Sequence, residues 1–340
     1  MKQKVVRIGK IIIGVALLFL SFRGVNWKEL FESFLAADLF WLLLTILSVI
    51  AGLALKAVRW AYLLKKFDVD VSFRRVAEAY FSGQAANIVL WVRGGEWIRL
   101  GLLTPGQSKK IAQIAATIAL EKILDLLGLA GVAIWVIAYL PFEKALWARQ
   151  WLLPVSGLAV IFLLFLIVFG QQVWRRVRKY IPGQSWTWVR RALRVLDRLV
   201  DNSLWMRDPW QVFPVLIYTI IIWLIMGGTN LLLFRSVNIS APAAAGGLVL
   251  VLIYIGLLPA LMPGNIGPFY FFARTALEPF QVPLYQAVIF AMLLHAVVTL
   301  PSLIIGGLFL IFSGEESKQW LKKLLAHPQS LTMPNSNESL

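Results

Sequence analysis

Hydrophobic runs of membrane length, twice broken by glycine-rich polar turns, leave this chain few ways to fold. One break is Arg93-Gly94-Gly95-Glu96-Trp97-Ile98-Arg99, and the other is Pro263-Gly264-Asn265-Ile266-Gly267-Pro268. Each follows an apolar run and precedes another helical stretch, so irregular backbone is expected at membrane depth. Such backbone persists in a bilayer only where protein buries it or a watery cavity bathes it. Ionisable groups inside a membrane segment mark function by default. Interrupted helices at corresponding places in two halves of a chain point to a transporter's binding site.

Composition narrows the class further. Hydrophobic residues make up 59% of the chain and charged residues only 15%, against roughly 25% charged in a soluble domain. The net charge of +16 is spread between the hydrophobic runs, as the positive-inside rule requires. Anionic lipid headgroups at a cytoplasmic face are therefore the expected partner, and nucleic acid is not. With no cysteine and only His295 and His327, thiolate chemistry is excluded and no metal site or cofactor is expected.

The charges also suggest a topology. Lys2, Lys4, Arg7 and Lys10 precede an apolar run at 11–22 with no cleavage pattern after it, so an uncleaved first span with a cytoplasmic N-terminus is expected. A second span, 39–64, returns to Lys65, Lys66, Arg74 and Arg75. The segments 76–92 and 94–103 have basic flanks at both ends, which predicts a re-entrant hairpin with Arg93 to Glu96 at its tip. Segment 76–92 is about 25 Å long as a helix, close to a full crossing. Spans follow at 111–140, 152–170, 210–234 and 284–312, with a second hairpin, 244–279, opening from the opposite side. An all-α integral membrane protein is expected, with about six full spans and two oppositely oriented re-entrant hairpins, about eight hydrophobic units, and room for an inverted repeat. Residues 1–326 would form the membrane domain and 327–340 a disordered cytoplasmic tail. The segment 171–208 is basic. Within it Val189, Leu193, Leu196 and Val200 share one helical face and Arg190, Arg191, Arg194 and Arg198 the other, the pattern of an interfacial amphipathic helix.

Three constellations carry candidate chemistry. In the first, Gly94-Gly95 opens a half-helix whose free amides and dipole favour an anion. Arg93 adds a fork suited to phosphate or carboxylate, and Glu96 orients Arg93 or Arg99, or titrates; the bland alternative is an internal ion pair pinning the turn. In the second, Glu121 and Asp125 lie four apart on one helix face and need a cation. Lys122, Arg93 and Arg99 are the near candidates in sequence, and snorkelling to the interface is the bland alternative. In the third, Pro268 suits a helix start and Gly264 and Gly267 permit a tight turn after Pro263. Asn265 would there offer a donor to a headgroup oxygen, or the turn would be packing alone. Lys56 and Arg59 read as anchors of the second span, His295 as a helix-to-helix hydrogen bonder, Gly227-Gly228 as close packing, and Arg274 with Glu278 as a structural pair. No metalloprotease, nucleotide-loop or serine-elbow motif is present in the sequence.

Asn87 and Arg93-Gly94-Gly95-Glu96-Trp97-Ile98-Arg99, then Glu121-Lys122-Ile123-Leu124-Asp125, then Pro263-Gly264-Asn265-Ile266-Gly267 together resemble the flippase-like family. This is the membrane region of lysylphosphatidylglycerol synthases and their free-standing relatives. Its pattern runs approximately N-x-x-x-P-x-R-x-G-E-x-x-R, E-R-x-x-D and P-G-x-x-G, and the likeness covers almost the whole chain. Trp91 stands where the family has proline. Lys122 stands where it has arginine, keeping the charge and losing the planar fork.

The resemblance implies translocation of a lipid-linked headgroup between leaflets of a prokaryotic plasma membrane, or a related role in envelope lipid or glycan assembly. Arg93, Gly94, Gly95, Glu96, Arg99, Glu121, Asp125 and Asn265 would meet the headgroup, with Pro263, Gly264 and Gly267 supporting the turn. Both termini would be cytoplasmic, and envelope enzymes are candidate partners. No catalytic residues are expected. Two other readings stay open: an integral-membrane transferase acting on a lipid-linked donor, and a scaffold for envelope assembly without transport.

Overall fold

The computed structural model describes residues 2–90, 94–104, 110–140, 187–201, 204–259 and 262–312, with scattered positions between 150 and 178. Regular structure among them is helical: α1 (Lys2–Phe22), α2 (Trp27–Leu35), α3 (Leu39–Lys66), α4 (Phe73–Val89), α5 (Gly95–Leu103) and α6 (Ile111–Tyr139), then α7 (Thr187–Asp201), α8 (Pro209–Ser236), α9 (Ala243–Gly256), α10 (Pro268–Leu277) and α11 (Leu284–Ile311). The helices α3, α6, α8 and α11 are each long and apolar enough to cross a bilayer. A fifth crossing is available from the α1 and α2 pair, bent by 82°. The chain is a multi-pass helical membrane protein. The expected span at 152–170 and much of 171–208 lie largely outside the described residues, and 327–340 lies wholly outside them. The stretch 23–38 between the first two apolar runs contains α2. Its start is capped by Asn26, whose side chain accepts from the Lys28 amide at 3.1 Å.

Local signals explain where the long helices begin and end. Asp38 caps α3 by accepting from the Phe40 amide at 2.8 Å, and Asp208 caps α8 by accepting from the Trp210 amide at 3.0 Å. Each helix runs 28 residues. Each then stops on a short polar residue in the left-handed region, Asp68 at φ +56° and Asn238 at φ +55°. The next amides close back onto the helix, Val69 to the Leu64 carbonyl at 3.0 Å and Ile239 to the Phe234 carbonyl at 2.8 Å, the 6→1 bond of a Schellman end.

These matched ends, each 170 residues apart, belong to a larger repeat. The helix after each stop is followed by a break, a short helix (α5 or α10) and another long one (α6 or α11). Packing obeys the same exchange: α4 lies on α5 and α11 as α9 lies on α10 and α6, and α2 lies on α11 as α7 lies on α6. The equivalent helices α3 and α8 are antiparallel. The Asp38 amide donates to the Ser236 carbonyl at one end (2.8 Å), and Lys66 Nζ donates to Gln211 Oε1 at the other (2.9 Å). Between them the Ser48 and Thr229 hydroxyls meet at 2.8 Å, and Arg59 Nη1 donates to Thr219 at 3.1 Å. The two halves therefore run in opposite directions, as in inverted-repeat transporters.

Two main cores form, each drawn mostly from one half, with Val215 joining the first and Val136 and Leu140 at the end of α6 joining the second. Trp60, Phe67, Tyr80, Ile98 and Ile114 cluster in the first, and Phe234, Leu248, Phe269, Phe290 and Leu294 in the second. The outward faces of the long helices expose Leu43, Leu47, Ile220, Leu224, Ile304 and Leu308, as contact with lipid requires. α5 has 9 residues and α10 has 10, about 14–15 Å at helical rise, roughly half a hydrocarbon core. Neither crosses alone.

Candidate functional site

The first break is built by close backbone approach. α4 ends at Val89 and α5 starts at Gly95, whose amide donates to Asn87 Oδ1 at 2.8 Å. A Cβ on Gly83 would lie 2.6 Å from Arg99 Cγ, and one on Gly95 would collide with the Gly83 carbonyl oxygen. Glycine at both places presses α5 onto α4 and carries Arg99 inward.

Four ion pairs then link α3, α5 and α6. Arg99 is 1% exposed and Glu121 is 2% exposed. They form a two-pronged pair in which Nη1 reaches Oε1 at 3.1 Å and Nη2 reaches Oε2. The Arg99 guanidinium also stands over the Trp60 ring at 3.9 Å and the Tyr80 ring at 4.8 Å, a cation–π arrangement. Trp60 is held in turn by Thr117 of α6, at 3.0 Å. One turn further along α6, Asp125 accepts from Arg59 Nη2 at 2.5 Å and lies 3.6 Å from Lys56 Nζ. Beside them Lys122 pairs with Glu96 at 2.8 Å, with side-chain exposures of 51% and 26%. Deeply buried ion pairs carry a desolvation cost that good geometry only offsets, so the α3–α5–α6 ladder is expensive for a protein with no use for it.

This arrangement corrects several expectations. Glu121 and Asp125 share a helix face but not a cation. Glu121 turns toward α5, while Asp125 turns toward α3, because those two helices flank α6 on different sides. Lys56 and Arg59, expected as interface anchors, instead face the interior, and Arg59 is fully buried. Glu96 pairs with Lys122, and Arg99 pairs with Glu121 rather than with Glu96. The expected anion cradle at the α5 start has its Gly95 amide occupied by Asn87. The Arg99–Glu121 pair is enclosed rather than lining an open cavity, so Glu96 and Lys122 are the accessible members. Arg93, Trp91 and Val92 lie outside the described residues.

The second break is a turn of positive-φ residues, Gly264 at +63°, Asn265 at +54° and Gly267 at +89°. Asn265 acts in the turn, its amide donating to the Met262 carbonyl at 3.1 Å. Pro268 opens α10. His295 of α11 holds the turn from behind, Nε2 donating to the Gly264 carbonyl at 2.7 Å while Nδ1 faces the Tyr270 hydroxyl at 3.3 Å. Both ring nitrogens thus have partners, as expected for a hydrogen bonder between elements. The turn packs on α4: a Cβ built on Gly264 would lie 4.0 Å from the Ile88 carbonyl oxygen, at the edge of the first break. Arg274 lies in ion-pair contact with Glu278 at 3.5 Å, and its Nη1 donates to the last carbonyls of α1, Leu20 at 2.5 Å and Ser21 at 3.1 Å, tying α10 to α1.

Asn87 was quoted in the motif but not assigned to the site. A depth argument would have found Lys56, which sits seventeen residues into α3, about 25 Å along it.

Two comparisons bear on this site. The family model for the lysylphosphatidylglycerol synthase TM region matches residues 7–306. The curated UPF0104 membrane protein PH1989 of Pyrococcus horikoshii is 29% identical over 161 residues, which is 46% of this chain and 47% of that protein. The chain thus aligns with about half the length of this relative.

Proposed function

Since the chain belongs to the lysylphosphatidylglycerol synthase TM region family, we propose that it is a lipid translocase, moving a phospholipid or lipid-linked headgroup between leaflets while the chains stay in lipid. One observation carries this reading. Two interrupted helix pairs of opposite direction meet at their breaks beside a ladder of buried charge, the combination that inverted-repeat transporters place at a midplane binding site. In this proposal α4/α5 and α9/α10 are re-entrant hairpins among six full spans, in a prokaryotic plasma membrane with both termini cytoplasmic.

Glu96 and Lys122 are the first contact. A partly exposed ion pair contributes little stability of its own, on the order of 0–1 kcal/mol, so a headgroup exchanges partners with it at small cost. Anionic groups would take Lys122 and amine groups Glu96. Arg99–Glu121 and Arg59–Asp125 lie deeper and keep the path polar. Movement down a gradient, without energy input, is sufficient for this scheme.

Purified protein in liposomes of phosphatidylglycerol and phosphatidylethanolamine, doped with a headgroup-accessible fluorescent lipid, tests it. Dithionite bleaching should exceed half of the label with protein present. It should return to the protein-free level in Glu96→Gln combined with Lys122→Met, a change at partly exposed positions that leaves the fold intact. Equal bleaching with and without protein refutes translocation. Chemical alteration of the lipid without movement would make the protein a membrane transferase instead.

A further inference from the structure

A groove of about 520 Å³ runs between α3 and α8, away from the ion-pair ladder. Its mouth is formed by Trp41 and Arg235 and its floor by Ser48, Ala51, Ile225 and Gly228. The guanidinium of Arg235 stands 5.6 Å from the Trp41 ring centre, and among the described residues no carboxylate pairs with it. Gly227 and Gly228, expected to mark close packing, have open space where a Cβ would go.

We propose that this groove holds one acyl chain of a glycerophospholipid whose phosphate sits on Arg235. The dimensions suit that occupant. From Trp41 near the start of α3 to Ala51 is ten residues, about 15 Å at helical rise, which is half of a roughly 30 Å hydrocarbon core. The polar mouth therefore sits at headgroup level, where Trp and Arg are natural anchors, and the apolar floor reaches the bilayer midplane. The mouth is at the end of α3 opposite Lys65 and Lys66, so the bound lipid belongs to the leaflet away from that basic end.

The inverted repeat supplies an internal control. Applying the 170-residue correspondence of α3 and α8, Ser48 maps to Tyr218, Gly228 to Val58 and Leu232 to Tyr62. At that mirrored place the two tyrosine rings lie 6.5 Å apart, and the Tyr62 hydroxyl donates to the Gln211 carbonyl at 2.9 Å. Bulky residues fill the cleft there, whereas small ones open it here. Lys65 matches Arg235 and keeps the cation, so the difference lies in space rather than charge. One leaflet is offered a chain slot and the other is not.

Native mass spectrometry of the full chain, released from nanodiscs of phosphatidylglycerol and phosphatidylethanolamine, tests the assignment. The parent protein should retain one phospholipid. Gly228→Leu fills the floor where a Cβ already has room, and Arg235→Gln removes the phosphate partner. Each should lower retention about tenfold, corresponding to 1.4 kcal/mol, while both stay monodisperse. The Glu96→Gln protein should keep its lipid, which separates this site from the proposed transport path. Unchanged retention in both groove variants overturns the proposal. So does a fall from dimer to monomer in Gly228→Leu, which would assign the groove to a second copy of the chain.

Discussion

Removing one member of the Arg99–Glu121 pair should destabilise the protein far more than removing both. Neither residue has meaningful access to solvent, at 1% and 2% exposed, and the two-pronged bond satisfies both carboxylate oxygens. Breaking such a pair leaves a bare charge in a low-dielectric interior, a cost of about 3–5 kcal/mol. Glu121→Met strands a guanidinium that cannot shed its proton, with no carboxylate left in ion-pair contact and the Trp60 and Tyr80 rings beside it. Arg99→Met strands a carboxylate and also forfeits the ring contacts, a further loss of about 0.5–2 kcal/mol. The double Met variant removes both charges at similar volume, and such replacements are often neutral or stabilising. A double-mutant cycle, by SDS-titrated unfolding followed through circular dichroism, should therefore give a coupling energy of at least about 3 kcal/mol. Additive costs would refute the conclusion that the pair is a closed unit. Transport in the double variant then separates two roles: activity lost while stability returns places the pair in the path, and activity kept makes it a strut between α5 and α6.

Four further substitutions test the breaks and the glycines. Asn87→Ala removes the acceptor for the Gly95 amide and should cost about 1 kcal/mol, with faster hydrogen exchange confined to the start of α5. Gly264→Ala should cost about 1–2 kcal/mol, since φ is +63° but a Cβ there finds no atom closer than 3.7 Å. Gly267→Ala should cost more, because its Cβ would run into the Gly14 carbonyl of α1; thermal melts that rank the two the other way would contradict the turn geometry. Gly227→Ala fills open space in the interior of α8 and should stabilise by about 0.5–1 kcal/mol, checked by the same melts.

Much of the architecture is legible in the sequence because membrane helices are constrained at every residue. Apolar length locates α3, α6, α8 and α11, and glycine with proline locates both breaks. The partner of Asp125 was not legible. Arg59 lies 66 residues away, and a cation in a span reads the same whether it faces lipid headgroups or a buried carboxylate. Only the packing of α3 against α6 decides. The same holds for Glu121 and Asp125: helical spacing puts them on one face, but it does not say that two different helices divide that face. The repeat is hidden for another reason. What the halves share is helix length, an aspartate cap and a left-handed stop, whereas their side chains have diverged almost completely.

That divergence separates the chemistry of two halves that share one backbone plan. α5 and α6 correspond to α10 and α11 with a 173-residue offset, so the pair Glu96 and Lys122 maps to Phe269 and His295. The contact survives as rings 4.9 Å apart, while the ion pair does not. Arg99 and Glu121 map to Phe272 and Leu294, and Asp125 maps to Val298. Every charged rung of the first half is thus apolar, aromatic or neutral in the second. Around the second break His295 holds the Gly264 turn, and the charged residues there, Arg274 and Glu278, pair with each other while Arg274 ties α10 to α1. On the proposed reading, the charged contacts of the ladder therefore come from the first half only, and Arg235 of the second half serves the separate groove. On that reading the second half contributes shape to the ladder: an opposed break of matching geometry packed on α4.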